Sequence, residues 1–334
     1  MSVRALTLGG LALSLLMAHA PADAADRIRA VGLVWNSLPQ NDLDAGNAAH
    51  PGPKAIEEAL ARLGWAVGKD LRLVSKSAEG RYERMPEIID AMVRLPVEVL
   101  VVFGPEAARA AQERTTTVPI VWAGSHLLGA TSSPTGNLTG TTYVQGPPGT
   151  GAAKRLELLK TIAPRASRVA VFLHQEPGKP LPLPSETVMR ASAHLGLKFR
   201  LFGFMHQEGL DLAFEQARRW GADSAYMSVF PALTWSRPLQ LKVIGLSKRH
   251  RWPTIYEMPA LAQAGGLIAH GHDDVVGQSR AAYFIDRLLR GARPAELPVE
   301  QVSTVQMTIN RSTARDLGLQ VPQTLLVSAD RLFD

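Results

Sequence analysis

Residues 143–164, YVQGPPGTGAAKRLELLKTIAP, admit two opposed readings. Gly146-Pro147-Pro148-Gly149-Thr150-Gly151 reproduces the first six places of a phosphate-cradling P-loop. A P-loop then needs Lys to reach the β- and γ-phosphates and Ser or Thr to hold Mg²⁺. Here those places are Ala152 and Ala153, and Lys154 arrives two residues late. Without the charge and the metal ligand the run loses its phosphate chemistry. It reads instead as a Gly/Pro connector entering a helix N-terminus.

What it connects is set by its flanks. On both sides short β-rich runs alternate with longer amphipathic ones, the pattern of βαβ units on parallel sheets. Upstream, strands are expected at 28–35, 71–77, 97–104 and 118–124. Between them PKAIEEALARLGW (53–65) carries Ile56, Ala59, Leu60 and Leu63 at helical spacing, with Gly64 at the C-cap position. Further helices are expected at 86–95 and about 106–114. VEVLVVFG (97–104) is apolar almost throughout, as a strand covered on both faces must be. Downstream the alternation restarts: helices at 152–162, 185–195, 209–220 and 236–250, strands at 168–174, 198–204, 223–230, 253–256 and 266–271. The last third adds a helix with Ala281, Phe284, Ile285 and Leu288 on one face, then a strand, a second strand and a short helix. The fold class is therefore α/β, with two Rossmann-like lobes on parallel sheets and residues 143–151 joining them.

Composition narrows the partners. The 334 residues are 46% hydrophobic and 20% charged, a globular balance with length for two domains. A net charge of +6 is modest, aromatics are 6%, and the one dense basic cluster, Lys248-Arg249-His250-Arg251, reads as a solvated helix end. Nucleic acid is not an expected partner. The N-terminus has Arg4, an apolar stretch Ala5 to Ala18, and small-residue sites at Ala18-His19-Ala20 and Ala22-Asp23-Ala24. Residues 1–25 are thus expected to be a secretory signal peptide. No cysteine is present, which excludes disulfides, a thiolate nucleophile and attachment through a lipidated Cys. The expected location is the periplasm, as a soluble protein without a lipid anchor. That compartment has no appreciable ATP pool, a second argument against the P-loop.

In open parallel sheets ligands bind beyond the carboxyl ends of the strands. The first lobe places Asn36, Ser37, Gly104, Glu106, Gly124, Ser125 and His126 there, with Tyr143 at its last strand. The second places His174, Gln175, Phe230, Tyr256, Glu257 and His270. If the lobes face each other these loops line one cleft, with Glu106 and Glu257 for a cation and Tyr143, Phe230 and Tyr256 as apolar walls. The run HGHDD (270–274) has the residue types of a zinc site, but Gly271 suggests a turn that would splay the two His, and Asp273 or Asp274 makes a natural helix N-cap. No metal site and no cofactor is expected. No G-x-S-x-G elbow, H-E-x-x-H run or nucleophile beside a base is found, so no catalytic residue is assigned.

The chain resembles the tryptophan/tyrosine-type group of bacterial ABC-transporter substrate-binding proteins. The residues that carry the resemblance span most of it: LGWAVGKDLRLVSKSAEGRYERMPEIIDAMVRLPVEVLVVFG, TTTVPIVWAG, PTGNLTG, KRLELLKTIAP, PTIYEMPALAQAGGLIAHG and AAYFIDRLLRGARPAELPVEQVSTVQMTINRSTARDLGLQVPQTLL. The resemblance implies a type I periplasmic-binding-protein fold. Lobe 1 would be 26–143 plus 273–304, lobe 2 147–270 plus 306–334, with hinge crossings near 143–148, 270–273 and 304–307. It implies a monomer that closes on a small-molecule ligand, an amino acid or similar metabolite, and delivers it to an inner-membrane ABC permease. The loop after the first strand, 36–52, is long and unlike the group's usual form, and two short runs also depart from it in ways that bear on the ligand. Gly124-Ser125-His126 stands where the group usually has Gly-Asp-Pro, and Pro105-Glu106-Ala107 stands where it usually has Thr/Ser-Pro-Ala. The first removes a carboxylate suited to a ligand ammonium, and Glu106 is placed to compensate. A ligand-sensing receptor feeding a membrane signalling protein, and an exported α/β hydrolase, remain open as alternatives.

Overall fold

A computed structural model describes residues 28–44, 51–123, 136–143, 149–175, 180–204, 208–228, 237–302 and 305–334. The expected signal peptide and the site candidates Gly124, Ser125, His126 and Phe230 lie outside the described residues.

The first part of the chain runs β1 (Arg29–Trp35), α1 (Gln40–Asp44), α2 (Pro51–Arg62), β2 (Leu71–Ser77), α3 (Met85–Arg94), β3 (Val99–Phe103), α4 (Pro105–Arg114), β4 (Ile120–Trp122) and β5 (Leu138–Tyr143). The second runs α5 (Thr150–Ile162), β6 (Arg168–His174), α6 (Glu186–His194), β7 (Lys198–Phe204), α7 (Gly209–Trp220), β8 (Ser224–Met227), α8 (Arg237–Arg249), β9 (Thr254–Tyr256), α9 (Pro259–Gln263) and β10 (Ile268–His272). The last comprises α10 (Asp274–Leu289), β11 (Glu300–Val302), β12 (Val305–Asn310), α11 (Arg311–Asp316), α12 (Gln323–Ser328) and β13 (Arg331–Phe333).

Two sheets result. One has order β11-β5-β4-β3-β1-β2, the other β13-β12-β10-β9-β8-β6-β7. The first is parallel throughout, and in the second β10 pairs with β12 antiparallel. Within each sheet alternate residues face opposite layers. Val31, Leu33 and Trp35 join the core with α2 and α10, while Val34 joins the one with α3 and α4. In the second sheet Phe172, Met227 and Tyr256 face α7 and α8, while Val169, Tyr226, Ile255 and Ile268 face α5. The central strands β1 and β3 are apolar toward both layers and so show no polar face in the sequence, whereas β5 buries Thr139, Thr141 and Thr142.

The chain passes between the sheets after β5, after β10 and after β11. β5 and β10 run parallel to their neighbours and leave at their carboxyl ends, and His272 at the end of β10 lies opposite Val305 at the start of β12. All three crossings therefore lie on the carboxyl side of both sheets.

The HGHDD run differs from its expected form. Gly271 does not turn the chain but continues β10, flanked by its partners β9 and β12. A Cβ at Gly271 would stand 1.7 Å from the carbonyl oxygen of Glu257, so glycine is needed for close approach of the loop that follows β9. Asp273 is the N-cap of α10, its carboxylate accepting from the Val275 N–H at 3.0 Å. Gly271→Ala is expected to cost about 1–3 kcal/mol, since backbone must move to admit the methyl. Urea denaturation measures it.

Candidate ligand-binding site

The first sheet reverses its winding between β1 and β3, the switch point at which doubly wound sheets open a crevice. Asn36 follows β1 and Glu106 opens α4, which follows β3. Asn36 Nδ2 donates to Glu106 Oε2 at 2.9 Å. The carboxylate can only accept, so this contact fixes the amide orientation and leaves Asn36 Oδ1 as the acceptor. That buried oxygen has no hydrogen-bond partner among the described residues. Gly104 makes the approach possible: its φ is 109°, and a Cβ there would lie 2.0 Å from Asn36 Nδ2. Ser37 is buried beside Asn36. Trp35 and Phe103, the residues that end β1 and β3, stack with centroids 3.6 Å apart and planes 5° from parallel, buried in the core with α2 and α10. Asn36, Ser37, Gly104 and Glu106, four of the residues expected from sequence, thus come together.

At the second sheet the expected residues separate. Glu257 lies just beyond β9, and parity puts it on the α5 side with Tyr226 and Ser228. Its carboxylate accepts from the Tyr226 phenol and, at 3.3 Å, from the Ser228 hydroxyl. Arg155 Nη1 stands 3.1 Å from Glu257 Oε1 and donates to the Tyr226 oxygen at 3.2 Å, while Arg155 Nε donates to the His270 carbonyl at 2.7 Å. Both ionic side chains are largely covered, 13% and 16% exposed. Burial acts to lower the Arg155 pKa, but the Glu257 charge offsets it and the net direction is up. Burial, then the Glu257 charge, raises the Tyr226 phenol well above its ordinary value. The cluster is fully ionised Arg and neutral Tyr at neutral pH.

Tyr256 is a correction. It is not a cleft wall: one position before Glu257, it points to the opposite layer, 1% exposed in the core against α7 and α8. Its phenol donates to the Ser247 hydroxyl at 3.3 Å, and burial pushes its pKa up to about 12. His270 is another. It shares the α5 side with Ile268 and lines a groove of about 380 Å³ between α5 and α12, with Lys154 and Asp330. Burial, then the charges of Arg155 and Lys154, lowers its pKa to about 4, so it is neutral there. His174 and Gln175 stay at the carboxyl end of β6, half-buried. His174 meets Phe204 edge-on at 6.4 Å, and the Gln175 N–H donates to the Phe204 carbonyl.

Tyr143 ends β5 and stacks flat on His272, centroids 4.3 Å apart and planes 4° from parallel. Its phenol donates to Asp274 Oδ1 at 2.7 Å. Among the described residues no group of three or more His, Cys, Asp or Glu side chains is placed to hold a metal ion, and no described helix is long and apolar enough to cross a membrane.

Arg155, Tyr226 and Ser228 did not figure among the expected site residues, and His272 and Asp274 entered only as members of the HGHDD run. Arg155 had a legible signal: it lies three and four residues before Leu158 and Leu159, in the buried stripe of α5, where a charge requires a partner. The partner's identity was not legible, because Glu257 is a hundred residues away in the chain.

Two α/β sheets crossed three times on their carboxyl side define a two-lobed solute-binding architecture. The chain belongs to the ABC transporter substrate-binding protein family, whose model matches residues 46–333. Its fold is the type I periplasmic-binding-protein fold. Among solved structures it is similar to a conserved domain protein from Vibrio cholerae O1 biovar El Tor, with TM-score 0.74, 20% identity, and 92% of this chain and 100% of that chain covered. It is similar to an ABC domain from Streptococcus pneumoniae in complex with L-Trp, with TM-score 0.73, 19% identity and coverage of 92% and 100%. The ligand-free, open form of a substrate-binding protein with adhesive properties from Clostridium difficile gives TM-score 0.59, 16% identity and coverage of 92% and 99%. No curated protein matches the chain.

Proposed function

We propose that this protein is the periplasmic solute-binding component of an ABC importer, taking an amino acid or similar small metabolite between its lobes and presenting it to an inner-membrane permease. In this reading lobe 1 is 26–143 plus 273–304 and lobe 2 is 147–270 plus 306–334. The crossings near 143–148, 270–273 and 304–307 act as the hinge, and the protein works as a monomer without bond chemistry. The observation that carries the proposal is the Asn36–Glu106 pair at the switch point. It offers two acceptor groups, the Asn36 Oδ1 and the Glu106 carboxylate, at the carboxyl ends of neighbouring strands. A ligand with an ammonium or other donor group satisfies both, and Glu106 thereby supplies the charge that Gly124-Ser125-His126 does not.

Mass spectrometry of the co-purifying molecule, with a thermal-shift screen of amino acids, purines and small carboxylates, tests the reading. A bound solute raises Tm by mass action. Glu106→Ala is expected to weaken the responding solute about 10- to 100-fold, the worth of one hydrogen bond to a charged group, and to lower the Tm of the free protein because the buried Asn36 amide loses its acceptor. Unaltered affinity in that variant rejects the site. Turnover of the solute rejects the function.

A further inference from the structure

The contact among Tyr143, His272 and Asp274 lies where two crossings leave their sheets. Tyr143 is the last residue of β5 in the first sheet, and His272 the last of β10 in the second. Asp274 begins α10, which returns to pack on the first sheet. The phenol–carboxylate bond thus holds Tyr143 to its own lobe, while the flat stack on His272 joins that lobe to the other. Rotation of one lobe against the other must either carry this stack along or break it.

We propose that Tyr143, His272 and Asp274 form a clasp that sets the angle between the lobes, acting as positioning residues for solute binding without touching the solute. The clasp rests on the receptor reading above for its purpose. The stack orients two faces of fixed shape, and the hydrogen bond removes the rotation of Tyr143 about χ1 that would release it. Ionised Asp274 accepts the phenol more strongly than the neutral acid. Burial, opposed by Tyr143 and assisted by Asp273, raises Asp274 to about 6, so the clasp loosens as pH falls through that value. The groups that face Asp274 are Tyr143 from β5 and Asp273 from its own turn, with His272 from β10 across the phenol ring. Glu300 of β11, the strand beside β5, is engaged by Arg280.

The chain has no cysteine, so a spin-label pair can be introduced cleanly at exposed Lys54→Cys on α2 and Glu186→Cys on α6. Pulsed electron paramagnetic resonance then reads the interlobe distance. Tyr143→Phe, which keeps the ring, and Asp274→Asn, which keeps the shape, are each expected to displace or split the distance peak at pH 7.5. The parent is expected to show the same displacement at pH 5, and Asp274→Asn to show no further change. A parent-like peak in both variants at both pH values overturns the clasp. Circular dichroism melts identify any variant that fails to fold, and Tyr143→Phe, the milder change, then carries the test. If no solute raises Tm but the peak moves in the variants, the receptor reading falls and the clasp stands. The reverse result sinks the clasp alone.

Discussion

Replacing Arg155 with Ala is expected to destabilise the fold by about 3–5 kcal/mol, the cost of leaving one member of a covered ion pair behind. Arg155 neutralises Glu257, donates to the Tyr226 oxygen and ties α5 to the His270 carbonyl just before the second crossing. With the guanidinium gone, Glu257 keeps two hydroxyl donors but no counter-charge, in a site 16% exposed. Urea denaturation of the single variant measures the loss. The double variant Arg155→Ala, Glu257→Gln is expected to recover part of it, because a neutral amide needs no cation. A single variant as stable as the parent would mean that water already solvates Glu257.

The second large effect is on the pH dependence of stability. Asp274 moves from its ordinary 3.8 to about 6 on folding. Between those values the folded protein holds a proton that the unfolded chain has released. Stability from this group is therefore full below about pH 4, is lost as pH rises through 6, and differs by about 3 kcal/mol across the window. His270 acts in the opposite sense over nearly the same interval. Its value is lowered from 6.5 to about 4, so the unfolded chain binds the extra proton and stability rises with pH. The parent's own profile mixes the two, whereas the difference between the parent and Asp274→Asn isolates the carboxyl. That difference is expected to shift toward the variant by about 1.4 kcal/mol between pH 5 and pH 7.5, as read from urea denaturation at each pH.

The alternation of short apolar runs with amphipathic ones determined the α/β class, because a strand covered on both faces has to be apolar throughout and a helix on a sheet needs one stripe. Ala152 and Ala153 ruled out the nucleotide reading at 143–151 without any coordinates. The Asn36–Glu106 pair was also within reach, since both follow strands whose carboxyl ends must neighbour each other at a switch point.

Tyr256 and Glu257 mark the limit. Both sit at the end of β9, and sequence places both near the crevice. Which one faces the core is a matter of parity, fixed by how β9 seats between β8 and β10, and the answer put the aromatic inside and the carboxylate beside Arg155. His270 and Gly271 turned on the same kind of fact, since only the approach of the Glu257 carbonyl explains a glycine in mid-strand. The sequence by itself carried periodicity, and with it the elements, their order and the excluded chemistries. Which side chains meet across a hundred residues, as Arg155 meets Glu257 and Tyr143 meets His272, was decided only by the tertiary structure. Such contacts follow from register and layer, which are set by packing of the whole sheet and leave no local trace in the chain.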